Sequence, residues 1–177
     1  MYQHILLAVA LQRWDEFSPH AVAAREAAVA LANGSGAQLS VLSVYDYDDE
    51  KPDALSLASV ELARYRDSQM ARMDELMTTK MKAFLAGMPT RESSITPLLK
   101  VGNPRQLIVA TAEVLGVDLL VIGAHSKRSF LDALLGGTAT TVSRHAPCAV
   151  VMVQPGEKRP LAQTSEVGNT IQATTPG

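Results

Sequence analysis

Short apolar runs alternate with longer stretches of helical periodicity along the whole chain. The first run, His4-Ile5-Leu6-Leu7-Ala8-Val9-Ala10, is almost continuously apolar. A strand buried on both faces of a parallel sheet reads this way, because neither face needs polar side chains. Ser18-Pro19 then supplies an N-cap with proline at the first helical position. The Ala-rich helix that follows is expected to run to about Leu31 and to end at Asn33-Gly34-Ser35-Gly36. Gln38 to Tyr45 repeats the apolar strand pattern, and an acidic segment from Asp46 to Glu50 follows it. From about Leu55 to Met88 the period is helical. Met70, Met73, Met77, Met81, Phe84 and Met88 recur every three or four residues, which predicts a flexible core-facing stripe. Ser94 to Val101 reads as a more alternating strand. Gly102-Asn103-Pro104 opens a helix to about Leu115, and Asp118 to Gly123 is again a buried strand. After a polar loop from His125 to Ser129, Gly136-Gly137-Thr138 opens a last helix to about His145. Ala149 to Val153 is the fifth strand.

Five strands separated by helices make a βαβ series. Its crossovers close into an open, doubly wound parallel α/β sheet. The pattern stops at Val153. Residues 154–177 are small, polar and rich in Pro and Gly, and they are expected to form a tail behind a single domain over residues 1–153.

Composition narrows the function classes. A chain of 177 residues with 47% hydrophobic residues can bury a core without disulfides or metal. Sixteen basic against eighteen acidic residues give a net charge near −2, which offers no electrostatic case for a nucleic-acid partner. No apolar run reaches the roughly 18 residues of a membrane span. Ala8-Val9-Ala10 has the form of a leader-cleavage site, but Met1 to His4 carries no Lys or Arg, so no signal peptide and a cytoplasmic location are expected. Cys148 stands alone, which excludes a multi-cysteine metal site, and it is expected as a small buried hydrophobe. His4, His20 and His145 lack metal-ligand spacing and are expected to be structural.

Ligands of open parallel sheets bind beyond the carboxyl ends of the strands, where strand order reverses. The richest such stretch is Val121 to Ser129, continuing to Gly136-Gly137-Thr138. Glycines there let backbone approach a ligand, and free N–H groups at the helix start favour phosphate. The hydroxyls of Ser126, Ser129 and Thr138 can donate, and Lys127 and Arg128 can neutralise charge. His125 beside Ser126 is not a nucleophile–base pair on adjacency alone, so a ligand or turn role is expected and no catalytic residue is assigned. A phosphoacceptor domain would need acids where Ala8–Ala10 and Lys100–Gly102 stand, which excludes it. Asp46 to Glu50 lacks an Asp-x-Asp-x-Asp-Gly pattern and reads as a solvated loop rather than a cation site.

Residues 1–153 resemble the universal stress protein family. The resemblance rests on Gly102-Asn103-Pro104, on Asp118 to Gly123, on the glycine-containing loop, and on Arg144-His145-Ala146-Pro147-Cys148-Ala149-Val150-Val151. It implies strand order 3-2-1-4-5, an adenine nucleotide such as ATP or AMP as ligand, a homodimer through residues 149–153, and regulatory protein partners of unknown identity. Nucleotide-binding members carry Gly, two residues, Gly, nine residues, then Gly followed by Ser or Thr. Here that register gives Gly123, Ser126 and Gly136-Gly137, with Thr138 next. The Asp that such members place at the end of strand one is Ala10 here. By resemblance, Val9 and Ala10 flank the nucleoside and Val44 meets the adenine. Gly123, His125, Ser126, Gly136, Gly137 and Thr138 surround the ribose and phosphates. The altered positions Ala10, Ser126 and Gly137 favour the family's other branch, which acts without nucleotide through dimerisation and protein contacts.

Overall fold

The computed structural model describes residues 1–12, 16–47, 59–89, 95–123 and 137–156. Its elements in chain order are β1 (His4–Val9), α1 (Pro19–Ser35), β2 (Gln38–Tyr45), α2 (Ser59–Ala86), β3 (Ile95–Val101), α3 (Pro104–Leu115), β4 (Leu119–Gly123), α4 (Gly137–His145) and β5 (Ala149–Val153). The strands form one parallel sheet in the order β3-β2-β1-β4-β5. That is the expected α/β architecture and strand order.

Alternate residues of the central strands feed two cores. Ile5, Leu7 and Val9 of β1 join Leu39 and Val41 of β2 and Leu119 and Val121 of β4 beneath α1 and α2. Leu6 and Ala8 join Leu42, Leu120 and Ile122 beneath α3 and α4. Both faces of β1 are therefore apolar, and its sequence is continuous rather than alternating. α1 presents Ala21, Ala24, Ala28, Val29 and Ala32 to the sheet. These small side chains bring the helix axis close to the strands.

Several expectations need correction. α1 runs beyond Leu31 through Asn33 and Gly34 to Ser35, and ends at the last residue of the expected Asn33–Gly36 stop. The stop is Gly36, at φ 70° in the left-handed region, whose N–H donates to the Ala32 carbonyl. Ser35 Oγ donates to the Leu31 carbonyl at 2.7 Å, so this residue serves the last turn instead of breaking it. The methionine stripe is core only in the second half of α2. Met77, Met81, Phe84 and Met88 are buried, whereas Met70 is 39% and Leu76 44% exposed. β3 shows no clean alternation: most of its residues are half-buried, as suits an edge strand that carries Pro97. Cys148 is half-buried rather than buried. Desolvation, with the Asp118 carboxylate adding to it, pushes its thiol pKa up.

α2 is tied down by polar and aromatic contacts. Tyr45 and Tyr47 both donate to Asp74 Oδ1, at 2.7 and 2.9 Å. Burial, reinforced by the Asp74 carboxylate, pushes the Tyr45 phenol well above its usual range. Lys80 Nζ donates to the carbonyl of Leu11 at 3.2 Å. That bond anchors the segment leaving β1. His4 and His145 make the structural contacts expected of them. His4 Nε2 pairs with Ser40 Oγ, and His145 Nδ1 with the Thr141 carbonyl, each at 2.9 Å. Gln154 to Gly156 follow β5 without secondary structure, and the rest of the expected tail lies outside the described residues. No helix among the described residues is long and apolar enough to cross a membrane.

Candidate functional site

Strand order fixes where the chain can hold a ligand. β1 has β2 on one side and β4 on the other, and α1 and α4, the helices that follow β1 and β4, lie on opposite faces of the sheet. The carboxyl ends of β1 and β4 therefore mark the point where the sheet can open into a crevice. Helix starts are brought to the same rim. Ser18 caps α1, its Oγ accepting from the Ala21 N–H at 3.2 Å. Asn103 caps α3, its Oδ1 accepting from the Arg105 N–H at 2.9 Å. Gly102, at φ 133°, turns the chain from β3 into that cap, and its N–H donates to the Tyr45 carbonyl at 2.9 Å.

A cavity of about 660 Å³ occupies this crevice. That lies within the roughly 300–1,000 Å³ range of small-molecule sites. Its apolar wall comes from the strands and α3, chiefly Ala8, Leu42, Val44, Ile108 and Ile122. Its polar wall comes from the loops and helix starts: Gln12, Ser18, His20, Asp46, Asn103, Arg105 and Thr138. Gln12 braces the rim. Its Nε2 donates to the Asp46 carbonyl at 2.6 Å, and its Oε1 accepts from the Asp46 N–H at 3.0 Å. This double bridge joins the segments that follow β1 and β2.

The structure brings together Val9, Ala10, Val44, Gly123, Gly137 and Thr138 on the wall of this one cavity. His125, Ser126 and Gly136 lie outside the described residues, as do Asp48, Asp49 and Glu50 of the acidic segment. Gly123 also has a packing role. A Cβ there would stand 2.9 Å from the His20 carbonyl oxygen and 3.2 Å from the His20 carbonyl carbon. The glycine lets α1 approach the end of β4, whether or not a ligand is near. His20, expected only as a structural residue, stands on the cavity wall.

Sequence reasoning missed Gln12 and Arg105, whereas Asp46 stands at a strand end where a ligand is expected. Gln12 and Asp46 meet across two strand ends, and only the β1–β2 register reveals it. Arg105 carried one readable signal: it follows Asn103-Pro104 and so sits in the first turn of a helix that starts at a strand end. Among the described residues no group of three or more His, Cys, Asp or Glu side chains converges as a metal site.

Comparisons with known proteins converge on one family. The model of the universal stress protein family matches residues 1–154. The universal stress protein encoded in the QAH/OAS sulfhydrylase 3′ region of Thermus aquaticus is 30% identical over 154 residues, covering 87% of this chain and all of that protein. Among solved structures, the hypothetical protein MJ0577 superposes with a TM-score of 0.67 at 24% identity, over 89% of this chain and 99% of that one. A universal stress protein solved in complex with cAMP superposes with a TM-score of 0.51 at 22% identity, over 88% of this chain and 99% of that one.

Proposed function

Because the chain belongs to the universal stress protein family, we propose that it is a non-catalytic, cytoplasmic regulatory module of the stress response that binds an adenine nucleotide, ATP or AMP. The observation that carries this reading is the cavity of about 660 Å³ at the switch point of the sheet, lined by Val9, Ala10, Val44, Gly123, Gly137 and Thr138. An apolar slot between β-strand side chains suits a base. Loop and helix-start N–H groups suit phosphates. The relative solved with cAMP supports the choice of an adenine ligand. Occupancy would tie the β1, β2 and β4 loops together, and a partner could read that change. The second reading, a nucleotide-free stress protein, is favoured by Ala10 and Gly137, which bring no side-chain acceptor or hydroxyl to the cleft. Equilibrium dialysis of the purified chain against ATP and AMP separates the two. Saturable binding of one equivalent supports the nucleotide reading, and no binding at millimolar concentration rejects it.

We further propose a homodimer through β5, at the sheet edge beside β4. An apolar edge left open invites pairing. Met152 is the better probe of this seam than Val151, because Val151 packs into the core beneath α1 and α2 while Met152 is 40% exposed. Met152→Lys is expected to shift sedimentation from dimer to monomer with the thermal midpoint little changed. A dimer of undiminished stability would refute the seam.

A further inference from the structure

Gly137 stands where nucleotide-binding members of the family carry Ser or Thr, and its backbone does not explain the glycine. Among the described residues only Gly36, Gly102 and Gly116 have positive φ. The space beside it is taken by a flexible side chain. A Cβ on Gly137 would lie 2.5 Å from Nη2 and 3.2 Å from Cζ of Arg105. The Arg105 guanidinium thus fills the place that a side chain at position 137 would take. It reaches there from the first turn of α3, where Asn103 holds its backbone N–H. The guanidinium therefore spans from the start of α3 to the start of α4 on the wall of the cavity.

This location is unfavourable for a cation by itself. The N-terminus of a helix carries partial positive charge, and Arg105 lies against two of them. Neither α3 nor α4 has an acidic residue in its first turn to offset that charge. Among the described residues no carboxylate pairs with the guanidinium. Arg105 is exposed, so water solvates the guanidinium and leaves it accessible to a ligand. A guanidinium with no carboxylate partner among the described residues, two helix starts and a cavity in one place suit an anion, and a planar fork of donors matches phosphate oxygens.

We propose that Arg105 is the phosphate-binding cation of this cleft, that its guanidinium occupies the place open beside Gly137, and that the preferred ligand carries a chain of phosphates. The inference rests on the nucleotide reading for the base, but its phosphate part can be tested separately. It makes Arg105 a substitute for the hydroxyl that the motif has lost at position 137.

Calorimetric titration of wild type, Arg105→Gln and Arg105→Lys with ATP, adenosine and inorganic tripolyphosphate tests it. Arg105 is exposed, so both variants are expected to keep the wild-type circular dichroism spectrum and thermal midpoint. Arg105→Gln is expected to weaken ATP and tripolyphosphate binding by about tenfold or more, the effect of losing hydrogen bonds to a charged group, and to leave adenosine unchanged. Arg105→Lys should fall between, since it keeps charge but loses the fork. Gly137→Ser should weaken ATP binding in the wild-type background, by displacing the guanidinium, and have no further effect beside Arg105→Gln. Such non-additivity marks a direct coupling. Equal ATP and tripolyphosphate affinities in wild type and Arg105→Gln would overturn the proposal while leaving the nucleotide reading in place. Arg105-dependent binding of tripolyphosphate without any response to ATP or adenosine would support the proposal and reject the nucleotide reading. A wild-type protein that binds none of the three would reject both.

Discussion

Phe84→Ala is expected to lower the unfolding free energy by about 3–5 kcal/mol, the usual cost of truncating a buried aromatic residue. Phe84 is 0% exposed. It meets the Phe17 ring edge-on at a centroid distance of 5.0 Å, and the Arg25 guanidinium lies 5.2 Å above its own ring. Three separate segments thus converge on one side chain: the approach to α1, α1 itself, and α2. Arg25 Nη1 also donates to the Phe84 carbonyl at 3.2 Å, a bond that alanine would keep. The loss therefore reports side-chain packing and not a broken polar contact. Domains are stable by only about 5–15 kcal/mol, so this change should move the guanidinium chloride midpoint far at constant slope. Met70→Ala on the same stripe is exposed and is expected to stay within about 0.5 kcal/mol. A loss below 1 kcal/mol for Phe84→Ala would show that α2 is not anchored through this ring.

Gly123→Val is expected to cost about 1–3 kcal/mol through overpacking. The new Cβ would stand 2.9 Å from a backbone oxygen of His20, and a backbone atom in a capped helix cannot move aside as a flexible side chain can. Relief requires the start of α1 to shift. Ser18, His20 and Ala21 line the cavity, so that shift would also deform the ligand site. Thermal unfolding and ATP titration of the same variant should therefore both respond. Full stability with unaltered binding would contradict the close approach of α1 to β4.

The two glycines illustrate what the sequence can and cannot disclose. Both are visible as motif positions. Their neighbours are not, because each is distant in sequence: the His20 backbone for Gly123 and the Arg105 side chain for Gly137. The strands were readable for the opposite reason. β1 and β4 bury both faces, and a continuous apolar run records that directly. Caps at Ser18 and Asn103 were readable because capping is local chemistry. The stop of α1 was readable as Asn33 to Gly36, but composition does not say which of its residues takes the left-handed turn, and that residue is Gly36. The methionine stripe misled at Met70 because period fixes a face of the helix and not which of its turns are covered. Of the expected site residues, Val9, Ala10, Val44, Gly123, Gly137 and Thr138 share the cavity wall, and the strand order implied by the family resemblance predicted that grouping.

The central claim is that an adenine nucleotide occupies this cleft. An amide NMR titration of the full chain with ATP tests it most directly, because it reports both binding and place. The account predicts saturable shifts concentrated at Val9, Ala10, Val44, Gly123, Gly137, Thr138 and Arg105, with the buried helical face of Ala28 and Ala32 unaffected. No saturable shift at millimolar ATP, or shifts confined to surfaces away from the carboxyl ends of β1 and β4, would contradict it.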